Sequence, residues 1–318
     1  MQFFRGVPAH SQMSTVLTIG NFDGVHLGHR ALLRRLVDKA REVALPATVL
    51  IFEPHPREYF APDTAPPRLS NLREKLALLA DCGVDCVYVA RFNQAFSSLS
   101  AKDFIEQILV RGLSIRHLLI GDDFRFGQGR TGDFALLQRA GVEHRFGVEA
   151  MNTVAQGDTR VSSSAVRDAL QTGDMPHAAR LLGQPYRISG RVMHGKKLGR
   201  TLGFPTLNLA IKHARLSLSG VFAVTVAGLG DSDIQGAASL GVRPTVGDGL
   251  RPVLEIHLLD FDRNVYGERV TVNFLHKLRD EEKYATLELL KEHIARDVEN
   301  VRKFFIARSP ADTSSNHV

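Results

Sequence analysis

The sequence predicts an α/β fold followed by a β fold: a parallel α/β domain, then a small antiparallel β-barrel with a C-terminal helix. The chain has 318 residues, which is longer than the commonest single domain. From Val16 to about Ala140, short apolar runs alternate with helical patterns, as in a parallel sheet covered by helices. After Pro185, strand-like segments separated by Gly, Pro and Asp turns predominate, which indicates an antiparallel all-β domain.

The first part of the chain is predicted to begin its sheet near Val16. Val16 to Ile19 should form a strand, Gly20 to Val25 a turn, and Leu27 to about Glu42 a helix with apolar residues at three- and four-residue spacing. Three further strands are expected in "ATVLIF", "CVYVA" and "HLLIG". A helical segment ends at "LLGQPY", so we place the first domain at residues 1–184.

The second domain is predicted at residues 185–307. Its strands are expected in "YRISGRV", "GVFAVTVAGL", "PVLEIHLLDF" and "ERVTVNFL". One helix should follow, from Thr286 to about Phe305, with Thr286 as its N-cap. An apolar stripe predicts the face that it buries, and this stripe comprises Leu287, Leu290, Ile294, Val298 and Val301. The polar residues 308–318 are predicted to be a disordered tail.

Composition and charge limit the possible partners. The hydrophobic content of 44% with 23% charged residues is typical of a soluble globular protein, and the net charge of +6 favours nucleic acids or small phosphates. No finger, homeodomain or RNA-recognition motif is present, so nucleic-acid binding is not expected. No apolar run has the length of a signal peptide or a membrane span, which predicts a cytoplasmic protein without a membrane partner. Cys82 and Cys86 are expected to be reduced thiols.

The stretch "GNFDGVHLGH" predicts a phosphate site between the first strand and the first helix. His26 and His29 are three residues apart, so they can share one face of the helix start. The helix N-terminus offers free N–H groups and partial positive charge, and Gly20, Gly24 and Gly28 allow close approach of the backbone. Two imidazoles at this position could donate hydrogen bonds to phosphoryl oxygens as charge develops.

The stretch "GKKLGRTLGFPTLN" predicts a second phosphate site in the barrel domain. Gly195, Gly199 and Gly203 make a backbone that could wrap phosphates, and Lys196 or Arg200 could screen their charge. Thr206 and Asn208 alternate along an extended segment, so both side chains should face the same side. That pair could help to hold Mg²⁺ together with ATP oxygens and water.

A candidate base lies in the strand "PVLEIHLLDF". Leu254, Ile256 and Leu258 should face the barrel interior, which places Glu255 on the outer wall. There its carboxylate could accept the proton of a hydroxyl group that is being phosphorylated.

Two further patterns are rejected. "GQGRTG" matches G-x-G-x-x-G, but "DDFRF" separates it from the preceding strand, so it is not a dinucleotide fingerprint. "GRVMHGKK" is close to a P-loop, but Lys197 replaces the magnesium-binding hydroxyl, and glycine and proline follow where a P-loop requires a helix.

The two motif sets resemble those of one family. "GNFDGVHLGH" is similar to the nucleotide-binding turn of the HxGH nucleotidyltransferases, and "GKKLGRTLGFPTLN" is similar to the riboflavin kinase signature. In this order they resemble the bacterial bifunctional riboflavin kinase/FMN adenylyltransferases, or FAD synthetases. "FEPHP", "GDDFRFGQGRTGD" and "VSSSAVR" also resemble segments of that family, with Ser164 where Thr is common.

The resemblance implies a nucleotidyltransferase-type first domain and a two-step route to FAD. ATP would phosphorylate riboflavin to give FMN and ADP, and FMN would then attack a second ATP to give FAD and pyrophosphate. Mg²⁺ would accompany ATP, no tightly bound organic cofactor would be required, and the products could be delivered transiently to flavoproteins.

The resemblance also implies roles for individual residues. Glu255 would be the kinase base, Thr206 and Asn208 the metal ligands, and Arg279 a flavin-side residue. His26 and His29 would stabilise adenylyl transfer, with support from Asp123. The ATP-binding set of the adenylyltransferase would comprise Gly20, Phe22, Asp23, Gly24, Gly28, Ser163, Ser164 and Arg167. That of the kinase would comprise Gly195, Lys196, Gly199, Arg200 and Gly203.

Three alternatives remain at this stage. One site could have lost its activity, although no key residue of either motif is missing. The chain could be a flavin- or nucleotide-binding regulator, but it shows no helix-turn-helix or basic arm. It could modify nucleic acid, in which case retention on DNA or RNA should depend on salt.

Overall fold

The computed structural model describes residues 1–152, 155–156, 159–195, 198–212, 215–244 and 250–308. The chain forms two compact units. The first contains residues 1–66 and 72–163, and the second contains residues 67–71 and the chain from residue 164 onward.

The first unit is built on a six-stranded sheet in which all neighbouring strands are parallel, in the order β1-β4-β3-β2-β5-β6. The predicted parallel sheet is therefore confirmed. Its strands are β1 (Gln2–Arg5), β2 (Thr15–Ile19), β3 (Ala47–Glu53), β4 (Cys86–Arg91), β5 (Ile115–Gly121) and β6 (Gly147–Met151). The outer strands β1 and β6 extend the sheet beyond the four strands that the sequence predicted.

Helices cover this sheet, and the sheet is buried on both faces. Leu17 and Leu118 belong to one apolar cluster, whereas Val16 and Leu119 belong to another, because successive side chains of a strand point to opposite faces. The helices are α1 (Leu27–Glu42), α2 (Pro56–Phe60), α3 (Leu72–Asp81), α4 (Gln94–Ser97), α5 (Ala101–Asp103) with its π-helical continuation Phe104–Gly112, and α6 (Phe134–His144). A short 3₁₀ turn (Gln128–Arg130) and a hairpin of β7 (Ala155–Gln156) and β8 (Thr159–Arg160) complete this part.

The second unit is a closed barrel of six antiparallel strands, in the order β10-β13-β12-β11-β14-β9, which confirms the predicted barrel. The strands are β9 (Tyr186–Met193), β10 (Leu207–Leu209), β11 (Gly220–Ala227), β12 (Ile234–Pro244), β13 (Leu250–Leu258) and β14 (Arg269–Arg279). The helices are α7 (Ser163–Thr172), α8 (Met175–Leu182), α9 (Leu198–Thr201) and α10 (Leu287–Arg308). Ser163, the first residue of α7, groups with the first unit, and the remaining residues of these helices group with the second.

Apolar side chains from alternate strand positions fill the barrel. Phe222 and Phe274 meet edge to face inside it, with ring centroids 5.3 Å apart, and both are buried. Ala223, the next residue of β11, lies on the outer face, where it packs in one cluster with Val301 of α10. The barrel wall and α10 therefore form a second apolar layer outside the barrel.

Helix α10 begins as the sequence predicted. The hydroxyl of Thr286 accepts a hydrogen bond from the N–H of Leu289 at 3.3 Å, which confirms the N-cap. The helix ends at Arg308, slightly beyond the predicted end, and residues 309–318 of the predicted tail lie outside the described residues. Within the described ranges, none of the helices combines the length and the apolar character that crossing a membrane requires.

Candidate active sites

The turn between β2 and α1 carries unusual backbone angles. Phe22 and Val25 have φ values of 47° and 43°, and Gly24 has φ of 79°. Left-handed conformations at buried non-glycine residues are uncommon, and they persist where the surrounding packing fixes them. This turn delivers His26 to the N-cap position of α1.

The two histidines of this turn lie together. The ring of His26 stacks on the ring of His29, with centroids 3.7 Å apart and an interplanar angle of 15°. Nδ1 of His26 accepts a hydrogen bond from the N–H of His29 at 3.3 Å. Because Nδ1 is an acceptor, a neutral His26 carries its proton on Nε2, so that nitrogen is a donor.

His29 is held in its neutral form. Burial, the neighbouring His26 and the charge of Lys75 together lower the pKa of His29 well below its usual value of 6.5. Its Nδ1 is buried and has no hydrogen-bond partner in the described part of the chain.

The glycines of this turn make room for its own side chains. A Cβ on Gly20 would lie 3.0 Å from the ring of Phe22, and a Cβ on Gly28 would lie 3.2 Å from the ring of His26. The ring of Phe22 in turn lies 5.0 Å from that of His29. Gly20 and Gly28 therefore allow the rings that define the site to pack against the backbone.

A cavity of about 240 Å³ opens at this turn, and Phe22, His26 and His29 line it. Asp123 lines the same cavity and pairs with Arg160 at 2.9 Å. Ser163 Oγ donates to the carbonyl of Asp23 at 3.0 Å, which ties the first residue of α7 to the turn. Sequence reasoning missed Arg160, because nothing in the pattern around it marks a site.

Ser164 and Arg167 follow on α7, in the part of this helix that groups with the second unit. Nε of Arg167 donates to the backbone carbonyl of Pro67 at 2.7 Å, and Pro67 belongs to the same unit.

A larger cavity of about 390 Å³ lies on the outside of the barrel, and Glu255, Thr206, Gly199 and Arg279 line it. The expected alternation places Glu255 there: Leu254, Ile256 and Leu258 are buried, so the residues between them face outward. Glu255 pairs with Asn208 across β13 and β10.

The glycine-rich loop packs on the two candidate metal ligands. Leu207 and Leu209 are buried, which places Thr206 and Asn208 on the outer side. A Cβ on Gly199 would lie 3.1 Å from the hydroxyl of Thr206, and a Cβ on Gly195 would lie 2.2 Å from the amide nitrogen of Asn208. The loop backbone thus closes over both side chains, and any other residue at either glycine would displace them.

Gly203 has φ of 88°, which suits the turn after α9. Arg200 lines a neighbouring cavity of about 330 Å³, and Thr206 lines both this cavity and the larger one. Lys196 lies outside the described residues.

The donor set at Thr206 and Asn208 fits Mg²⁺. Hydroxyl and amide oxygens are hard neutral donors, and magnesium in nucleotide sites takes few protein ligands because phosphate oxygens and water supply the others. Among the described residues, no group of three or more His, Cys, Asp or Glu side chains forms a metal site.

Two residues of the larger cavity, Tyr284 and Asp297, were not identified from the sequence. Arg279 makes two hydrogen bonds to Asp297 of α10, at 3.0 and 2.6 Å, and Tyr284 lines the cavity beside them. Asp297 stands three residues after Ile294 and four before Val301, so it lies on the apolar stripe of α10. An acidic residue at a buried helical position was the signal that could have identified it.

His257 holds the segment that carries Thr206. Its Nδ1 lies 3.0 Å from the carbonyl of Pro205, so Nδ1 carries the proton and donates. The ring of Phe204 meets the ring of His257 edge to face at 5.5 Å. These contacts fix the segment before β10 against the strand that bears Glu255.

Comparisons with known proteins match both units. Residues 9–165 match the FAD synthetase family, and residues 182–305 match the riboflavin kinase family. The bifunctional riboflavin kinase/FMN adenylyltransferase of Escherichia coli (strain K12) is 49% identical over 314 residues, which cover 98% of this chain and 100% of that protein. The Pseudomonas fluorescens enzyme of the same name is 51% identical, over 95% of this chain and 97% of the relative.

A solved structure has the same fold over nearly the full length. It is described as a macrolide-efflux protein from Streptococcus pneumoniae, and it aligns with a TM-score of 0.81 at 27% identity, covering 95% of this chain and 99% of the other.

Proposed function

The chain belongs to the family of bifunctional riboflavin kinase/FMN adenylyltransferases, and on that premise we propose which of its residues carry each reaction. It phosphorylates riboflavin to FMN with ATP, and it then adenylylates FMN to FAD with release of pyrophosphate. The first reaction is assigned here to the barrel and the second to the domain with the parallel sheet.

The two cavities at the barrel differ in the charge of their lining residues, and this difference indicates which kinase substrate each one binds. The larger cavity is lined by four carboxylates and one guanidinium, and its apolar walls include two side chains of α10. The carboxylates are those of Glu255, Glu281, Glu282 and Asp297, the guanidinium is that of Arg279, and the apolar side chains are Leu290 and Ile294. A triphosphate would be repelled by these carboxylates, whereas uncharged riboflavin would not. The neighbouring cavity contains Arg200 and Arg263 with one carboxylate, Asp262, and this balance of charge suits the anionic nucleotide better. Thr206 lines both cavities, so transfer between the substrates takes place beside it.

Glu255 acts as the base of the kinase. Its position on the outer wall of the barrel, in the same cavity as Thr206, is the observation that carries this assignment. The carboxylate accepts the proton of riboflavin's 5′-hydroxyl as the oxygen bonds to the γ-phosphorus, and ADP leaves. Thr206 and Asn208 would hold Mg²⁺, which supplies charge screening for the phosphoryl oxygens when bound. Gly195, Gly199 and Gly203, with Arg200 and Lys196, complete the nucleotide loop.

The stacked histidines carry adenylyl transfer. Their cavity lies at the N-terminus of α1, where free N–H groups favour phosphate. The phosphate of FMN attacks the α-phosphorus of ATP and pyrophosphate leaves, while His26 and His29 donate to the phosphoryl oxygens. No covalent enzyme intermediate is required, because positioning and charge neutralisation suffice. Supporting contacts to the phosphates are assigned to Gly20, Phe22, Asp23, Gly24, Gly28, Asp123, Ser163, Ser164 and Arg167.

Three further points stay predictions: the domain boundary at residue 184, the cytoplasmic location, and transient delivery of FMN and FAD to flavoproteins.

One incubation tests the assignment of function. The purified protein is given riboflavin, ATP and Mg²⁺, and the flavins are separated by chromatography over time. We expect FMN to appear first and FAD to follow as FMN is consumed. Conversion of supplied FMN to FAD without any conversion of riboflavin would contradict the kinase assignment.

A further inference from the structure

A row of paired residues crosses the outer face of the barrel and begins at the proposed base. Glu255 of β13 pairs directly with Ser239 of β12. Ser239 pairs with Val221 of β11, which in turn pairs with Arg279 of β14. Directly paired residues of antiparallel strands point to the same face, and all four line the larger cavity. The row therefore gives this cavity a direction, with Glu255 at one end and Arg279 at the other.

The direction of this row orients a bound riboflavin. The 5′-hydroxyl must lie at Glu255, which accepts its proton. The far end of the cavity is more apolar, because Val221 lies there and α10, to which Arg279 is tied by its two hydrogen bonds to Asp297, adds aliphatic side chains. The flat ring system suits this apolar end. The ribityl chain, which joins the ring to the 5′-hydroxyl, must then cross the middle of the row, at Ser239.

A second carboxylate lies at the middle of the row. Oε1 of Glu281 accepts a hydrogen bond from the hydroxyl of Ser239 at 3.1 Å. Oε2 of the same carboxylate lies against the backbone of Gly241, two residues further along β12, so closely that a Cβ there would overlap it. The carboxylate of Glu281 is therefore held on the outer face of β12, and it lines the larger cavity.

The chemistry of the ribityl chain matches this placement. The chain carries hydroxyl groups on consecutive carbons, of which the 5′-hydroxyl is the last. A carboxylate has two oxygens that only accept hydrogen bonds, so a single bond from Ser239 leaves acceptor capacity for hydroxyl groups of a ligand. Neighbouring strands are about 4.8 Å apart, which places the carboxylates of Glu255 and Glu281 within reach of one ribityl chain.

Resting on the assignment of this cavity to riboflavin, we infer that Glu281 is a specificity-determining residue of the kinase site. Its carboxylate accepts hydrogen bonds from the internal hydroxyl groups of the ribityl chain. Ser239 is the residue that positions this carboxylate.

The inference predicts which flavins the kinase prefers. The 5-hydroxypentyl analogue of riboflavin keeps the flavin ring and the terminal hydroxyl that is phosphorylated, but it lacks the internal hydroxyl groups. The native enzyme should discriminate against this analogue, because the carboxylate then loses its donors. An enzyme without the carboxylate should discriminate much less.

The test measures initial rates of phosphorylation by the full-length protein at saturating MgATP, with riboflavin or the analogue as the varied substrate. Glu281→Gln should raise KM for riboflavin about tenfold with kcat within about twofold, because charge-assisted hydrogen bonds to the bound substrate are weakened. The ratio of kcat/KM for riboflavin to that for the analogue should fall about tenfold. Lumiflavin has the ring without the ribityl chain, so its Ki as a competitor of riboflavin should not change.

Two further variants test the positioning of the carboxylate. Ser239→Ala removes the donor, and Gly241→Ala puts a methyl group where the carboxylate lies without removing a polar group. Both should raise KM for riboflavin and preserve Ki for lumiflavin, and Ser239→Ala should add little to Glu281→Gln in a double variant. Asp233→Asn is the matched control, because Asp233 also accepts a hydrogen bond from a strand hydroxyl, that of Thr225 at 3.2 Å, but lines neither barrel cavity. It should leave all values unchanged.

The outcomes separate the alternatives. A native KM and a native preference in Glu281→Gln would overturn the inference. An equal rise of KM for riboflavin and Ki for lumiflavin would overturn it as well, because the carboxylate would then support the cavity as a whole. In both cases continued FMN formation leaves the kinase assignment intact, whereas a native protein that forms no FMN would refute that assignment and the inference with it. Additive effects of Ser239→Ala and Glu281→Gln would refute the positioning role of Ser239.

Discussion

His26 and His29 are joined twice, by stacked rings 3.7 Å apart and by a hydrogen bond from the N–H of His29 to Nδ1 of His26. The hydrogen bond fixes the tautomer of His26, and the stacking brings the two imidazole rings close together. Two imidazolium ions at this distance would repel each other strongly, so the pair cannot carry two positive charges without cost. If the pair binds phosphate as proposed, it therefore does so with neutral donors placed at a helix N-terminus.

The lowered pKa of His29 predicts a pH dependence of stability. In the unfolded chain this group takes up a proton near pH 6.5, whereas in the folded protein it does so only at lower pH. Between these two values the unfolded state binds more protons, so the free energy of unfolding falls as the pH falls below 6.5. The contribution of one such group is at most about 1.4 kcal/mol per pH unit.

Urea unfolding at about pH 5.5 and about pH 7.5 measures this dependence, with His29→Gln as the comparison. The native protein should lose more stability between these values than the variant does. Equal losses in both proteins would mean that His29 is not the linked group.

Gly28→Ala should disturb the histidine pair without removing a polar group. The added Cβ would lie 3.2 Å from the ring of His26 and 3.5 Å from the carbonyl of Val161, so the ring must shift. Small displacements of a reacting group are costly, and we expect FAD formation from FMN to fall by about 10- to 100-fold. FMN formation from riboflavin should not change. Gly230→Ala is the control, because its Cβ would meet nothing within 4 Å.

The sequence predicted the central elements of both folds because each combines a strong apolar pattern with clear turns. Strands β2 to β5 are mostly apolar and largely buried, and β13 alternates between buried and partly exposed residues, so their assignment needed no tertiary information. The edge strands β1 and β6 were missed. "QFFR" is half polar and "GVEAM" is only partly buried, so their pairing depends on the neighbouring strand rather than on their own pattern.

The candidate sites were predictable to the extent that local motifs define them. The position of His26 at the N-terminus of α1 and the outward position of Glu255 follow from the sequence pattern alone. The Arg279–Asp297 pair joins residues 18 positions apart, on a strand and a helix whose packing no single-sequence pattern reveals. Likewise, the sequence predicted that Gly20 and Gly28 let the backbone approach a ligand, but it could not show that the rings of Phe22 and His26 occupy the space beside them.

Substitutions of the proposed base and the proposed donor should separate the two reactions. Glu255→Ala should lower FMN formation by about 100-fold or more, because general base catalysis is lost, and it should leave conversion of supplied FMN to FAD unchanged. His29→Ala should have the opposite effect. Both are followed by chromatography of the flavins. Loss of the same step in both variants would refute the separate locations.

Thr206 should control the magnesium requirement of the kinase. Thr206→Val removes the hydroxyl with little change of shape, so the Mg²⁺ concentration for half-maximal FMN formation should rise by about tenfold. Thr206→Ser keeps the oxygen and should retain a near-native requirement. A titration of Mg²⁺ at fixed ATP compares the two, and an equal effect of both substitutions would argue that the methyl group, not the oxygen, matters.

The Arg279–Asp297 and Arg302–Asp260 ion pairs both join α10 to the rest of the barrel unit, and they should differ sharply in their contribution to stability. The Arg279–Asp297 side chains are 23% and 10% exposed, whereas those of Arg302 and Asp260 are 47% and 74% exposed. Both pairs have two hydrogen bonds of similar length, so geometry is matched and burial differs. Asp297→Asn leaves a mostly buried guanidinium without its counter-charge and should cost about 3 kcal/mol, while Asp260→Asn should cost less than about 1 kcal/mol.

Urea unfolding of the full chain, with the riboflavin-binding affinity of each variant, measures both effects. Because Asp297 and Arg279 also line the cavity proposed for riboflavin, only Asp297→Asn should weaken riboflavin binding. Equal losses of stability would show that the buried pair is no more important than the exposed one.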